Sequence, residues 1–347
     1  MLLLSPSVGA EPSSRAVVKV NAYLDNDNNQ ILTPHTSVQS TVSPTFSLGA
    51  HAGVDVVSSA SIDVLSAATP KGQFIDIRKE TGANMAYTFD DWTLNGAGRF
   101  STEDDYRSIS GTLGVSRELA QKNTTLALSY SFTDSDVGRV GDSNFNEDLD
   151  SHVLNMSLTQ VMGKKTLAQV AVYAALFAGF QSSPYRMVRF ENGAGAPEQV
   201  PDDRQRYAGV LRIKHALSSS SFLGADYRFY FDTWGLESHM AELSFSQQPS
   251  KGFKWRIRNR IYRQSGVDFY SETYAAPQEF MSADREHSPF ISDTLGGKIA
   301  VLAGDLWGLE DVWFDLKADL GWQHFSDFAR QPDRLMWVTE IGMNVGF

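Results

Sequence analysis

The 347-residue chain contains no cysteine. That single absence removes structural disulfides, thiolate zinc sites, iron–sulfur clusters and cysteine nucleophiles. Positive charge is also short: 30 Lys and Arg stand against 41 Asp and Glu, a net charge of −11. The electrostatic footprint of a nucleic-acid partner is therefore missing. No apolar run reaches the ~18 residues of a membrane helix; the longest, Val170–Phe180, falls well short. A helical membrane protein is excluded, but a β-barrel, which spreads its apolar residues over alternate positions, is not. Catalytic signatures are scarce. None of the seven His lies in a metal-spaced pair such as HxxxH, and neither a GxSxG elbow nor a P-loop occurs. Neither a cofactor nor a metal is expected, and catalysis has little support.

What is present is 42% hydrophobic and 12% aromatic residues, enough for a folded core. Alternation of apolar and polar residues recurs along the chain in sixteen segments. In Asp311–Trp322, the residues Val312, Phe314, Leu316, Ala318, Leu320 and Trp322 share one face, opposite Asp315, Lys317 and Asp319. Water-soluble sandwiches also alternate, so length and connection decide. The segments run to about 10–13 residues, beyond the ~5–6 of soluble strands and near the ~9–11 of a tilted membrane strand. Their connections alternate between short (for example 162–165, 216–219 and 248–251) and long (25–34, 58–76, 135–149, 181–203 and 264–290). The expected fold is an all-β, transmembrane, antiparallel up-and-down barrel of about 16 strands (about 14–18), with short periplasmic turns and long extracellular loops. The aromatic residues Tyr23, Tyr87, Trp92, Trp234, Trp313, Trp322 and Trp337 are expected at the membrane interfaces.

Both ends of the chain agree with export. Met1–Ala10 reads as a signal-peptide remnant, leaving 11–347 as one barrel domain. The final segment places Leu335, Trp337, Ile341, Met343, Val345 and Phe347 on one face. A terminal aromatic on such a strand resembles the signal read by the outer-membrane assembly machinery. The expected surroundings are outer-membrane lipid and lipopolysaccharide.

Alternation also sorts the charges. Arg206, Arg212, Lys214, Arg228, Lys254, Arg256, Arg258 and Arg260 fall on the polar faces of three segments. A basic residue facing mid-bilayer costs about 2–4 kcal/mol, so this stripe belongs in the lumen. Asn259, on the apolar face, is a misfit. Two readings stay open: an anion-attracting stripe in a channel, or a structural ladder in which the bases pair with Asp226, Asp232, Glu242 or Asp315 in a plugged lumen. Asp25–Asn29 alternates oxygen ligands as calcium loops do, but lacks their glycine and distal glutamate; a solvated loop tip is the plainer reading. A loop-borne enzyme or receptor would draw on Ser59, Asp63, Glu103, Asp105, Tyr185, Arg186, Asp232, Trp234, Asp268 and Tyr270, or on Asp284, Glu286 and His287, gathered in one extracellular pocket.

Several strings near the loops carry a family likeness: Ser58–Val64, Ser101–Tyr106, Ser183–Arg186, Tyr227–Gly235 and Arg263–Tyr270. In this order they resemble a bacterial outer-membrane family catalogued only as a domain of unknown function, from about residue 17 to Phe347. The resemblance implies a barrel and no established activity. Members of the family it resembles are often encoded near a flavin transferase, a thioredoxin-like protein and a small lipoprotein. From that follows an envelope lipoprotein or redox partner for an export or redox assembly.

Overall fold

A computed structural model describes residues 14–59, 74–306 and 308–347. Among them, sixteen strands close into one antiparallel barrel. The first half of the wall is β1 (Ser14–Asp25), β2 (Asn29–Ser43), β3 (Phe46–Ser59), β4 (Phe74–Phe89), β5 (Trp92–Thr102), β6 (Tyr106–Leu119), β7 (Thr124–Gly138), β8 (Asn146–Gly163) and β9 (Thr166–Gly179). A small hairpin, β10 (Met187–Arg189) and β11 (Gly195–Pro197), lies in the next loop and stays out of the wall. The wall resumes with β12 (Asp203–Ala216), β13 (Ser221–Asp232), β14 (Glu237–Ser250), β15 (Phe253–Gln264), β16 (Phe290–Leu306), β17 (Leu309–Phe325) and β18 (Asp333–Gly346). Pairing of β1 with β18 completes the ring. Ser14 and Phe347 exchange backbone hydrogen bonds of 3.2 and 3.0 Å at the short-turn end.

Closure is what the alternation demands. In lipid every backbone donor and acceptor must pair within the protein, and only a closed sheet has no edge. The apolar members of each strand then point outward: Leu113, Leu243 and Ile341 are 70%, 68% and 62% exposed. Their neighbours point inward and are mostly Ser, Thr, Asn or charged. The misfit Asn259 is resolved on the outer face, where its amide donates to Asp293 of β16 at 2.6 Å.

The aromatic expectation holds in part. Tyr87, Trp92, Trp322 and Trp337 are exposed on the outer wall. Tyr23 instead donates to Asp25 at 2.8 Å, Trp313 meets Lys254 with Nζ 4.4 Å from its ring centre, and Trp234 is buried in a loop core. Strand parity decides the first two, which sit on inward positions.

The connection expected at 25–34 is also different. β2 begins at Asn29, and the turn is only 26–28. The Asp25 carboxylate accepts from the backbone of Asp27 and Asn29, both at 2.9 Å, so the turn is closed from inside by protein donors. Residues 1–13, with the signal segment, and Asp63 lie outside the described residues; Ser59 is the last residue of β3.

The inside–outside assignment has a direct test. Leu316→Arg, on the outer wall, is expected to lose about 2–4 kcal/mol in urea unfolding from lipid vesicles, whereas Arg256→Gln on the inner wall stays within about 0.5 kcal/mol.

Candidate functional site: the lumen stripe and the loop lid

The eight predicted stripe residues occupy inward positions on β12, β13 and β15, three of four successive staves of the wall. Three of them are paired. Arg258 reaches Glu242 at 2.7 Å and Asp319 at 2.9 Å. Arg260 shares Glu242 at 2.8 Å, and Arg212 stands 4.0 Å from Asp226. A glycine makes room for the central pair: a Cβ on Gly296 would lie 2.0 Å from Asp319 Oδ1 and 2.9 Å from Arg258 Nε. The other five, Arg206, Lys214, Arg228, Lys254 and Arg256, have no salt bridge among the described residues. The structural ladder and the free stripe thus coexist. Of the carboxylates proposed for the ladder, Asp232 serves Arg204 and Asp315 serves Lys298.

The lumen is not filled at this level. The side chains of Arg212 and Arg260 are 45% and 43% exposed although they point inward. Facing the stripe across the bore, β2 to β5 carry His35 stacked on His51, and Glu80 within 2.5 Å of Arg99. Between these sectors, β6 to β8 present neutral hydroxyls such as Thr112 and Ser131, bonded to each other at 2.8 Å.

The long-loop end is covered. Segments 180–202, 233–236, 265–289 and 326–332 pack into a lid with three apolar cores. One gathers Val188, Phe190, Tyr274 and Met281; a second gathers Val200, Trp234, Leu236 and Val267; a third gathers Phe290, Phe325 and Phe328. Asp27 pins the lid from the far side. This carboxylate, 2% exposed, receives Arg285, Gln331 and Arg334. The supposed calcium ligand or solvated tip is therefore a buried latch, because two guanidinium groups and an amide already occupy its oxygens.

The rim candidates divide between several places. Tyr185 donates to Asp105, which ties loop 180–202 to the turn after β5. Arg186 reaches Asp284 at 2.5 Å and Glu198 at 3.7 Å. Asp232, Trp234, Asp268 and Tyr270 meet around the 233–236 turn. There Gly235 has φ +84°, and a Cβ on it would lie 2.2 Å from Asp268 Oδ1. Tyr270 and the core of Trp234 are in contact. Glu103 stands apart beside Asp76 and Arg78, at a cavity of about 450 Å³. Burial first, then the neighbouring Asp76, push its carboxyl up to about 7. The candidates build the lid rather than one pocket.

His287 has a hydroxyl partner and a carboxylate nearby, but in the wrong order for a nucleophilic triad. Ser282 sits in the middle, fully buried, 2.8 Å from His287 Nδ1 and 2.5 Å from Glu198 Oε1. This arrangement fastens the lid. Arg204 and Arg285 carry much of it and are not singled out by the sequence; Asp27 is, but in another role. Arg204 has the inward parity of Arg206, so alternation could have found it. Asp27 and Arg285 are 258 residues apart, and no local pattern links them.

Two outcomes follow for the lid. Asp27→Ala leaves Arg285 buried without its carboxylate, a loss of about 3–5 kcal/mol; hydrogen exchange across 265–289 should accelerate accordingly. The lid also weakens in acid. Burial pushes the His287 imidazole down to about 4 from 6.5, so the opened lid binds the proton more readily. The contribution of His287 is full above about pH 6.5 and is lost as pH falls toward 4. Proteolysis of 265–289 should rise over that window, and His287→Gln should flatten the rise.

The barrel is similar to solved outer-membrane barrels. A bacterial polysaccharide outer membrane secretin is 9% identical, with 98% of this chain and 100% of that chain covered and a TM-score of 0.57. CdiB from Acinetobacter baumannii is 8% identical, with 96% and 60% covered and a TM-score of 0.54. OprD from Pseudomonas aeruginosa is 8% identical, with 96% and 94% covered and a TM-score of 0.48. At these identities the likeness is one of fold. No curated protein matches the chain. The family described as "Protein of unknown function (DUF3570)" matches over residues 14–301, and the chain belongs to it.

Proposed function

We propose that the protein is an outer-membrane channel that favours anions and whose extracellular mouth is covered by the packed loops. The observation that carries this reading is the set of five lumen cations without a carboxylate partner among the described residues. Cations whose charge is left uncancelled along a bore with low-dielectric walls concentrate anions there. A ladder built only for stability would neutralise each one. The polysaccharide secretin that shares the fold makes acidic sugars the first anions to test.

A second reading draws on the lid. Three apolar cores and a buried latch are more than a passive porin loop requires. They suit a scaffold whose loop surface holds an envelope lipoprotein or redox partner.

Planar bilayers separate the two. A channel gives ionic current with anions preferred, and the triple substitution Lys214→Glu, Arg228→Glu, Arg256→Glu reverses the preference. Absence of current from correctly folded protein, or a selectivity indifferent to the triple change, overturns the channel reading. Co-purification of a partner with the non-conducting barrel would then support the scaffold.

A further inference from the structure

Arg206 faces inward on β12, directly across the ladder from Asp232 on β13. This is the position where an ion pair is expected, and none forms. The Asp232 carboxylate is already saturated. Its Oδ2 accepts from Arg204 at 3.0 and 2.5 Å and from Tyr230 at 2.6 Å. Its Oδ1 accepts from the backbone of Trp234 at 2.9 Å and Leu236 at 3.2 Å. The Arg206 guanidinium lies instead over Phe177, its Cζ 4.2 Å from the ring centre, with Nε buried and without an acceptor. Arg228, two residues before Tyr230 on the same inward face, sits 5.7 Å from the Tyr230 ring centre and has no salt bridge among the described residues.

Two guanidinium groups without a carboxylate partner thus stand near one tyrosine: Arg228 beside its ring, and Arg206 within electrostatic reach of its hydroxyl. A half-buried guanidinium without a carboxylate partner gains charge-assisted hydrogen bonds when an oxyanion reaches it. The planar fork of arginine matches a carboxylate or phosphate through two parallel hydrogen bonds. The aromatic faces beside it suit the C–H surface of a ring.

We infer that Arg206 and Arg228 form a saturable oxyanion site under the lid, taking a carboxylate or phosphate borne on a small, ring-shaped solute. The inference takes the lumen as the anion path proposed above and adds a discrete stopping point within it.

Titration calorimetry on the whole barrel in detergent tests this with glucuronate, inorganic phosphate and, as the uncharged comparison, glucose. Glucuronate binds at one site per chain and glucose does not. Phosphate competing with glucuronate shows that the oxyanion alone is recognised; glucuronate binding without competition assigns the ring as a required part. Arg206→Gln and Arg228→Gln each weaken glucuronate at least tenfold. Arg206→Lys, which keeps the charge and loses the fork, falls in between and serves if the glutamine variant does not fold. Lys298→Gln, which removes a lumen cation already paired with Asp315, leaves the affinity unchanged. Absence of saturable binding overturns the site, as does an equal loss in Lys298→Gln, which would mean that diffuse charge governs. Anion-selective current without saturable binding sinks the site and spares the channel; binding without current does the reverse.

Discussion

Everything in this molecule depends on the backbone hydrogen bond between β1 and β18. A sheet of fifteen ladders would leave two edges of bare N–H and C=O groups in hydrocarbon, each costing several kcal/mol. The sixteenth ladder removes both. Once the ring is closed, side-chain direction ceases to be a local matter. Each residue on the wall faces either lipid or bore, and along each unbroken ladder parity fixes the choice, with register shifts such as that between Glu310 and Trp313 resetting it. This is why Asp315, Lys317 and Asp319 coexist on β17 with Phe314, Leu316 and Leu320 without conflict.

Inside, the charges obey a second rule, set by competition for carboxylates. Along β14 to β18 and β1, Glu242, Asp315, Asp319 and Glu340 serve Arg258, Arg260, Lys298, Lys317 and Lys19, and Lys254 and Arg256 of β15 are left over. On β12 and β13 the acids are fewer, and one of them, Asp232, is taken by Arg204 together with the 233–236 turn. The uncancelled charge of the bore is thus partly a by-product of how the lid is held. Stability and lumen electrostatics draw on the same few carboxylates.

The barrel was legible in the sequence because it rests on a short-range signal. Alternation in Asp311–Trp322 or around Lys254–Arg260 needs no knowledge of partners, and it placed all eight stripe residues inward. Chain-end turns were harder. Gln30 to Pro34 alternates weakly, so the start of β2 looked like loop. Trp313 and Tyr23 looked like belt residues by type, although their parity points inward. The lid was not legible at all. Its contacts join Asp27 to Arg285, Arg186 to Asp284 and Ser282 to Glu198, each across a span that no window of sequence covers. The rim residues were chosen as chemistry-bearing groups, and tertiary packing turned most of them into fasteners.

The five-donor grip on Asp232 links two parts of the molecule that otherwise share nothing. Two of those donors are backbone amides of the 233–236 turn. As long as that turn holds its place, the carboxylate is kept from Arg206, its nearest cross-strand suitor. The other three come from Arg204 and Tyr230 of the wall, so the acid is held from both sides. Mouth and bore therefore share one carboxylate: the contact that seats the cover is also the one that leaves Arg206 uncancelled in the bore below.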